Sequence, residues 1–379
     1  MGWTLIIALL SALGYLLMQG YIWRGWLRIG PQAAAAGPPL SVLVAAHDEA
    51  DRLRRNLPSL LAQAYPVYEV LVVLDRCQDD SHAVVAAIGR THPHLRYLEI
   101  GATPPGWSPK KWAIEQGIAA ARYEHLVFTD ADCTAGPDWL AAVGGRYAQG
   151  AELVLGIGRY ARRAGLLNAL IQWETFYAAF QYIGLAMQGR PYMAVGRNLA
   201  YTRAFFRRHG GLAAFRGSLS GDDDLLVNAY GRHARLAVVT DRAAQTCSEV
   251  HSRWRDWWRQ KTRHVSAARH YDRQSRWVLT LFHGLHALHY LCLIGSALQL
   301  STAAVALPLY VSRLVLSGWV FSRVFCQIGP PVPILWYPVL DLFFFLYNFS
   351  VVPTGLMKAP TWRTKLPKYP ETPRKTASW

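Results

Sequence analysis

The sequence predicts an α/β protein, a mostly parallel sheet flanked by helices, held at a membrane by apolar helices at both ends. Three observations predict this. Short apolar runs at 40–46, 69–74 and 125–129 each end in a polar, acidic turn, and helical patterns follow; strand, turn, helix repeated is the grammar of parallel βαβ units. Hydrophobic residues make up 52% of the 379-residue chain and charged residues only 17%, where a soluble domain carries about a quarter. Long uncharged segments lie near both ends.

Residues 3–23 carry no charge, are long enough to cross the roughly 30 Å hydrocarbon core as a helix, and have tryptophan at each end, as interfacial belts do. A cleaved leader would start basic and end in small residues. Here the start is uncharged and Arg24 and Arg28 follow, so 1–23 is expected to be a retained anchor with the chain after it in the cytoplasm. Residues 24–39, rich in Pro, Ala and Gly, read as a linker. The strand at 40–46 leads through a turn at 47–51 to a helix carrying Leu53, Leu57, Leu60 and Leu61. The strand at 69–74 leads through 75–81 to a helix with Val84, Val85 and Ile88. The third strand, 125–129, ends at Asp130, Ala131 and Asp132, and Pro137, Asp138 and Trp139 open the next helix.

Residues 166–187 are apolar but interrupted by Gln172, Glu174 and Gln181, which predicts an amphipathic, partly buried helix rather than a span. An amphipathic stretch at 251–276, with Trp254, Trp257 and Trp258 among basic residues, predicts a helix lying at headgroup depth against anionic lipids. Apolar segments at 278–298, 303–321 and 334–356 make two or three spans within 277–357. Three would leave the basic tail 358–379 outside, against the positive-inside expectation, and 334–356 is the suspected re-entrant segment because Asp341 and Pro353 interrupt it.

The net charge is +16 and the pI near 9.8. Because Lys and Arg thicken beside apolar segments instead of forming a basic arm, we expect anionic headgroups and a polyanionic substrate as partners, not nucleic acid. Five scattered cysteines without a CxxC pair are expected to be reduced thiols.

In open α/β sheets, ligands bind beyond the carboxyl ends of the strands. Three acidic sites fall there: Asp48 and Glu49, then Asp75, then Asp130 and Asp132. Two carboxylates one residue apart on an extended segment share a side and suit a hard cation, Mg²⁺ or Mn²⁺, on substrate phosphates. Helix capping is the alternative for each cluster, and the better reading for Asp79 and Asp80. Lys111 near a helix start opposes the helix dipole unless a phosphate compensates; a solvated lysine is the alternative. Asp222, Asp223 and Asp224 supply a general base or a solvated helix start.

In this order the clusters resemble the family 2 glycosyltransferases, inverting enzymes of the GT-A fold, over residues 40–271. SVLVAAHDE at 41–49 resembles the opening strand and nucleotide turn, VVLDRCQDD at 72–80 the second acidic site, and TDADC at 129–133 the DxD. Asp222 and Asp223 resemble the Glu-Asp pair, and QKTRH at 260–264 the QxxRW motif with His264 for tryptophan. The resemblance implies a Rossmann-like GT-A domain over 40–250 that uses a nucleotide-diphosphate sugar, a UDP-sugar, with Asp48, Glu49, Asp75 and Lys111 on the nucleotide. It implies Asp130 and Asp132 on the metal and diphosphate, Asp223 as base beside Asp222, Arg197 near the donor sugar, and Gln260, Arg263 and His264 lining the acceptor side and steadying the leaving group. One N-terminal anchor with a few C-terminal segments resembles the lipid-glycosylating branch, including ceramide glucosyltransferases and bacterial carotenoid, hopanoid and diacylglycerol enzymes. It implies transfer of a hexose-type sugar to a membrane lipid hydroxyl at a bacterial inner membrane. A processive polysaccharide synthase is the rival, against which too few spans and the lost tryptophan both count.

Overall fold

The structure, a computed structural model, describes residues 2–31, 37–329 and 333–357. Part of the predicted linker and the whole basic tail therefore lie outside the described residues. The chain opens with α1 (Trp3–Trp26), which runs past the expected end of the anchor. There follow β1 (Leu40–Ala46), α2 (Ala50–Leu61), β2 (Tyr68–Asp75), α3 (Ser81–Gly89), β3 (Leu95–Ile100), α4 (Pro109–Ala120), β4 (His125–Asp130), β5 (Cys133–Ala135), α5 (Trp139–Ala148), β6 (Leu153–Gly156) and β7 (Gly158–Tyr160). Then come α6 (Leu166–Ala186), β8 (Leu199–Thr202), α7 (Arg203–Arg208), α8 (Asp224–Tyr230), β9 (Leu236–Val239), β10 (Thr246–Ser248), α9 (Trp254–Ser266), α10 (Arg273–Ala297), α11 (Leu300–Ile328) and α12 (Tyr337–Met357).

A seven-stranded sheet runs β3-β2-β1-β4-β8-β6-β9, and β5-β10-β7 form a second, small sheet. β1 to β4 are mutually parallel where they pair, whereas β8 is antiparallel to both β4 and β6. The first strands read as continuous apolar runs because helices cover both faces: β1 is buried along nearly its whole length, and Leu53, Leu57, Leu60 and Leu61 of α2 close over it. Chain order reverses between β1 and β4, which makes their carboxyl ends the switch point where open sheets bind ligands. Register brings Ala45 beside Asp130 and Ala46 beside Leu74, so three acidic turns share one rim. The antiparallel β8 starts at that same rim and adds Gly196–Asn198 to it.

α6 departs from the sequence reading. Gln172, Glu174 and Gln181 lie inside, not on a wetted face, and each has a partner: Tyr160 O, Lys261 and His283 respectively. α1 crosses α6 where Gly25 meets Gly184, a contact so close that a Cβ on Gly25 would sit 2.0 Å from the Gly184 oxygen. Trp26 then donates from its indole to Phe180 O.

Among the described residues, four helical segments are long and apolar enough to cross a membrane: Trp3–Trp26, Arg273–Ala297, Ala304–Phe325 and Tyr337–Met357. The suspected re-entrant segment is one unbroken helix with Pro353 inside it. Asp341, which prompted the suspicion, is fully buried against Arg313 of α11 and His286 of α10. Each apparent interruption neutralises another.

Candidate active site

The turns after β1 and β2 lock together. Asp48 (φ 53°) and Arg76 (φ 50°) are the non-glycine residues in left-handed conformation among the described residues, a strain that marks turns held by their surroundings. Asp48 accepts from Gln78 N, and His47 Nδ1 lies 2.6 Å from Asp75 O. Asp75 is buried under a two-pronged contact from Arg76. Glu49 pairs with Arg52, while burial nonetheless raises its carboxyl above the ordinary range. Asp79 accepts from Ser81 N at the start of α3 and from Ala50 N at the start of α2, whereas Asp80, at the N-cap of α3, makes no side-chain cap.

After β4, donor atoms of Asp130, Asp132 and Cys133 lie within 4.8 Å of one another. Cys133 is no ligand for a hard cation: its thiol is buried, pushed well up by that burial, and 3.0 Å from Ser248 Oγ. Burial and the neighbouring Asp130 raise Asp132 as well. Two carboxylates whose oxygens lie this close at the rim, where a substrate diphosphate would sit, fit a divalent cation.

The structure moves one sequence reading by a residue. Lys110, not Lys111, enters the acidic cluster, its Nζ 3.0 Å from both Asp130 and Asp222. Lys111 is buried beneath, donating to Ser218 O and Ser220 O, and so ties down the loop that carries the three aspartates. Burial lowers its amine to about 8.

Those aspartates are not a solvated helix start. Burial works against ionisation of Asp222, but Lys110 and Lys111 outweigh it and hold the carboxyl below the ordinary range. Asp223 caps α8, accepting from Asp224 N and also from Gly196 N. Burial and the Asp222 charge push it up to about 6. Asp224 is buried, receives the Tyr271 hydroxyl, and is raised far higher by burial and by Asp223.

Arg197 lies over the Tyr160 ring and donates to Gly158 O and the Tyr160 hydroxyl. Opposite, α9 presents Gln260, Arg263 and His264, with Gln260 accepting from Tyr160. His264 faces the open cavity, yet the protein crowded around it and the Arg263 and Lys261 charges keep its imidazole neutral.

A cavity of about 2120 Å³ joins these groups: Asp48, Glu49, Asp75, Asp130, Asp132, Arg197, Asp222, Asp223, Gln260, Arg263 and His264 all line it. Lys111 does not. Sequence reasoning passed over Lys110, Tyr160 and the Glu174–Lys261 pair. Lys110 adjoined the residue chosen; Tyr160, the last residue of the three-residue strand β7, left no signal in spacing.

Comparison with known proteins agrees with the fold. Mannosyltransferase PcManGT from Pyrobaculum calidifontis, solved with GDP-Man and Mn²⁺, superposes with a TM-score of 0.57 at 20% identity, over 90% of this chain and 99% of that one. The probable glycosyltransferase YdaM of Bacillus subtilis is 27% identical over 238 residues, 60% of this chain and 54% of that protein. Succinoglycan biosynthesis protein ExoO of Rhizobium meliloti is 36% identical over 112 residues, 30% of each. The chain thus spans about half or less of these curated relatives. The motif order resembles family 2, but the profile that matches residues 4–366 is that of glycosyl transferase family 21. By that match the chain belongs to glycosyl transferase family 21.

Proposed function

We propose that the protein is an inverting glycosyltransferase that moves a hexose-type sugar from a nucleotide-diphosphate donor, a UDP-sugar, to the hydroxyl of a membrane lipid. The observation that carries this is one cavity lined both by the acidic rim of the sheet and by the apolar helices α10 and α12. The family match supports the reaction class, and the GDP-Man and Mn²⁺ of the PcManGT structure support a metal-assisted diphosphate leaving group. The site motifs keep the family 2 order, with Asp222 where that family has glutamate.

Asp48, Glu49 and Asp75 hold the nucleotide. Asp130 and Asp132 would hold Mg²⁺ or Mn²⁺, which when bound would offset charge on the departing diphosphate. Asp223, ionised, takes the proton of the acceptor hydroxyl as its oxygen attacks the anomeric carbon and the bond to the diphosphate breaks. Arg197, Gln260, Arg263 and His264 line the opposite wall and steady the sugar and leaving group. Arg24 and Arg28 at the end of α1 favour a catalytic domain on the cytoplasmic face of a bacterial inner membrane.

The test is incubation of membranes containing the protein with a panel of radiolabelled sugar nucleotides, followed by lipid extraction. Label in a discrete lipid is expected. Label only in polymer, or none, would sink the proposal. Asp132→Ala and Asp223→Asn are each expected to cost at least about 100-fold in transfer while the protein stays folded and membrane-bound.

A further inference from the structure

The cavity exceeds one ligand and has two characters. Its volume of about 2120 Å³ is roughly twice the upper end of the 300–1,000 Å³ usual for a small-molecule site. One end is the acidic rim. The other is walled by α10 from Arg276 to Ala287 and by α12 from Phe344 to Leu356. At 1.5 Å per residue those stretches are roughly 16–18 Å of helix, more than half the depth of a hydrocarbon core.

This arm opens sideways. Phe349 is 62% exposed and Gly284 is exposed, yet both line the cavity, so its wall is also the outer surface of the helices. Gly284 sits inside α10, where glycine costs about 1 kcal/mol relative to alanine. No packing explains it, since a Cβ there would meet nothing within 4 Å. The space beside it is open. Beside it, His283 Nδ1 is shielded from solvent and has no hydrogen-bond partner among the described residues. Its Nε2 lies 3.4 Å from Gln181 Nε2, and both side chains line the cavity. A polar atom left unmade among apolar helices calls for a partner.

We propose that this arm is the acceptor site. A lipid enters between α10 and α12 at Gly284, its hydrocarbon stays along the apolar arm, and its reactive hydroxyl reaches the acidic rim. His283 and Gln181 bind a second hydrogen-bonding group of its head. The inference rests on the reading of that rim as the transfer centre.

The full chain, reconstituted in nanodiscs of a total polar lipid extract, is given the sugar nucleotide that the panel finds active. Gly284→Trp is expected to lose at least tenfold in lipid labelling with the Kd for the nucleoside diphosphate within twofold. Leu291→Trp, a change at an exposed site on the same helix outside the cavity, keeps its labelling. His283→Phe raises KM for the lipid more than it lowers kcat. Full labelling by Gly284→Trp overturns the proposal. If Gly284→Trp also loses nucleotide binding, a diazirine-bearing diacylglycerol crosslinked to the wild-type chain decides. Adducts within 279–287 or 344–356 support the arm, and adducts only elsewhere overturn it. Should wild-type protein label no lipid at all, the transfer reading fails, and the crosslink alone still tests whether the arm holds lipid.

Discussion

Three consecutive aspartates acquire three different states from their neighbours. Lys110 holds Asp222 below the ordinary range, burial and the Asp223 charge raise Asp224 well above it, and Asp223 is left near 6, the range useful to a base. A base must be deprotonated to act, so kcat/KM is expected to rise as pH climbs through about 6 and to level above it. Lys110 lowers the Asp223 value, so Lys110→Met removes a charge that favours the carboxylate and moves that midpoint to higher pH. A pH–rate profile checks this; an unmoved or lowered midpoint contradicts it. The residue types were legible in sequence, because strand ends followed by acidic turns are a local pattern. Which lysine faced them was not. Successive residues at a helix start point about 100° apart, and only the packing of α4 says which one looks into the rim.

At the scale of elements, α9 positions the Gln260, Arg263 and His264 wall through a buried ion pair between Lys261 and Glu174 of α6, whose side chains are 9% and 11% exposed. Removing one partner of a buried pair strands the other's charge and costs about 3–5 kcal/mol, whereas replacing both with apolar residues is close to neutral. Lys261→Met is therefore expected to destabilise the detergent-purified protein by about 3 kcal/mol, and Lys261→Met with Glu174→Met to recover most of it. Thermal unfolding of both variants measures this; equal losses would refute the pairing. The helix at 166–187 was legible as a helix from its apolar length. Its polar residues looked like a wetted face because a sequence shows polarity but not the distant partner that makes burial tolerable.

For the whole molecule, the same logic joins the apolar helices. Arg313 and Asp341 are each fully buried, on different helices, with His286 and Tyr290 beside them. Arg313→Leu or Asp341→Leu alone is expected to destabilise the protein by about 3 kcal/mol or more, seen as a lowered thermal midpoint, and the double variant to return close to wild type. A double variant as unstable as either single one would show that the pair is not the unit. This pair also explains why α12 is continuous where its charge had implied a break.

Composition, span length and the order of acidic turns fixed the fold class, the membrane helices and the residue types at the rim, since each is a local property of a few to some twenty residues. The switch point between β1 and β4, the choice of Lys110 over Lys111, the neutralising partners of Glu174 and Asp341, and the arm toward Gly284 depend on contacts between residues tens to hundreds of positions apart. Long-range packing decides those, because the energy of a buried charge or an empty cavity is set by what stands opposite it and not by its neighbours in the chain.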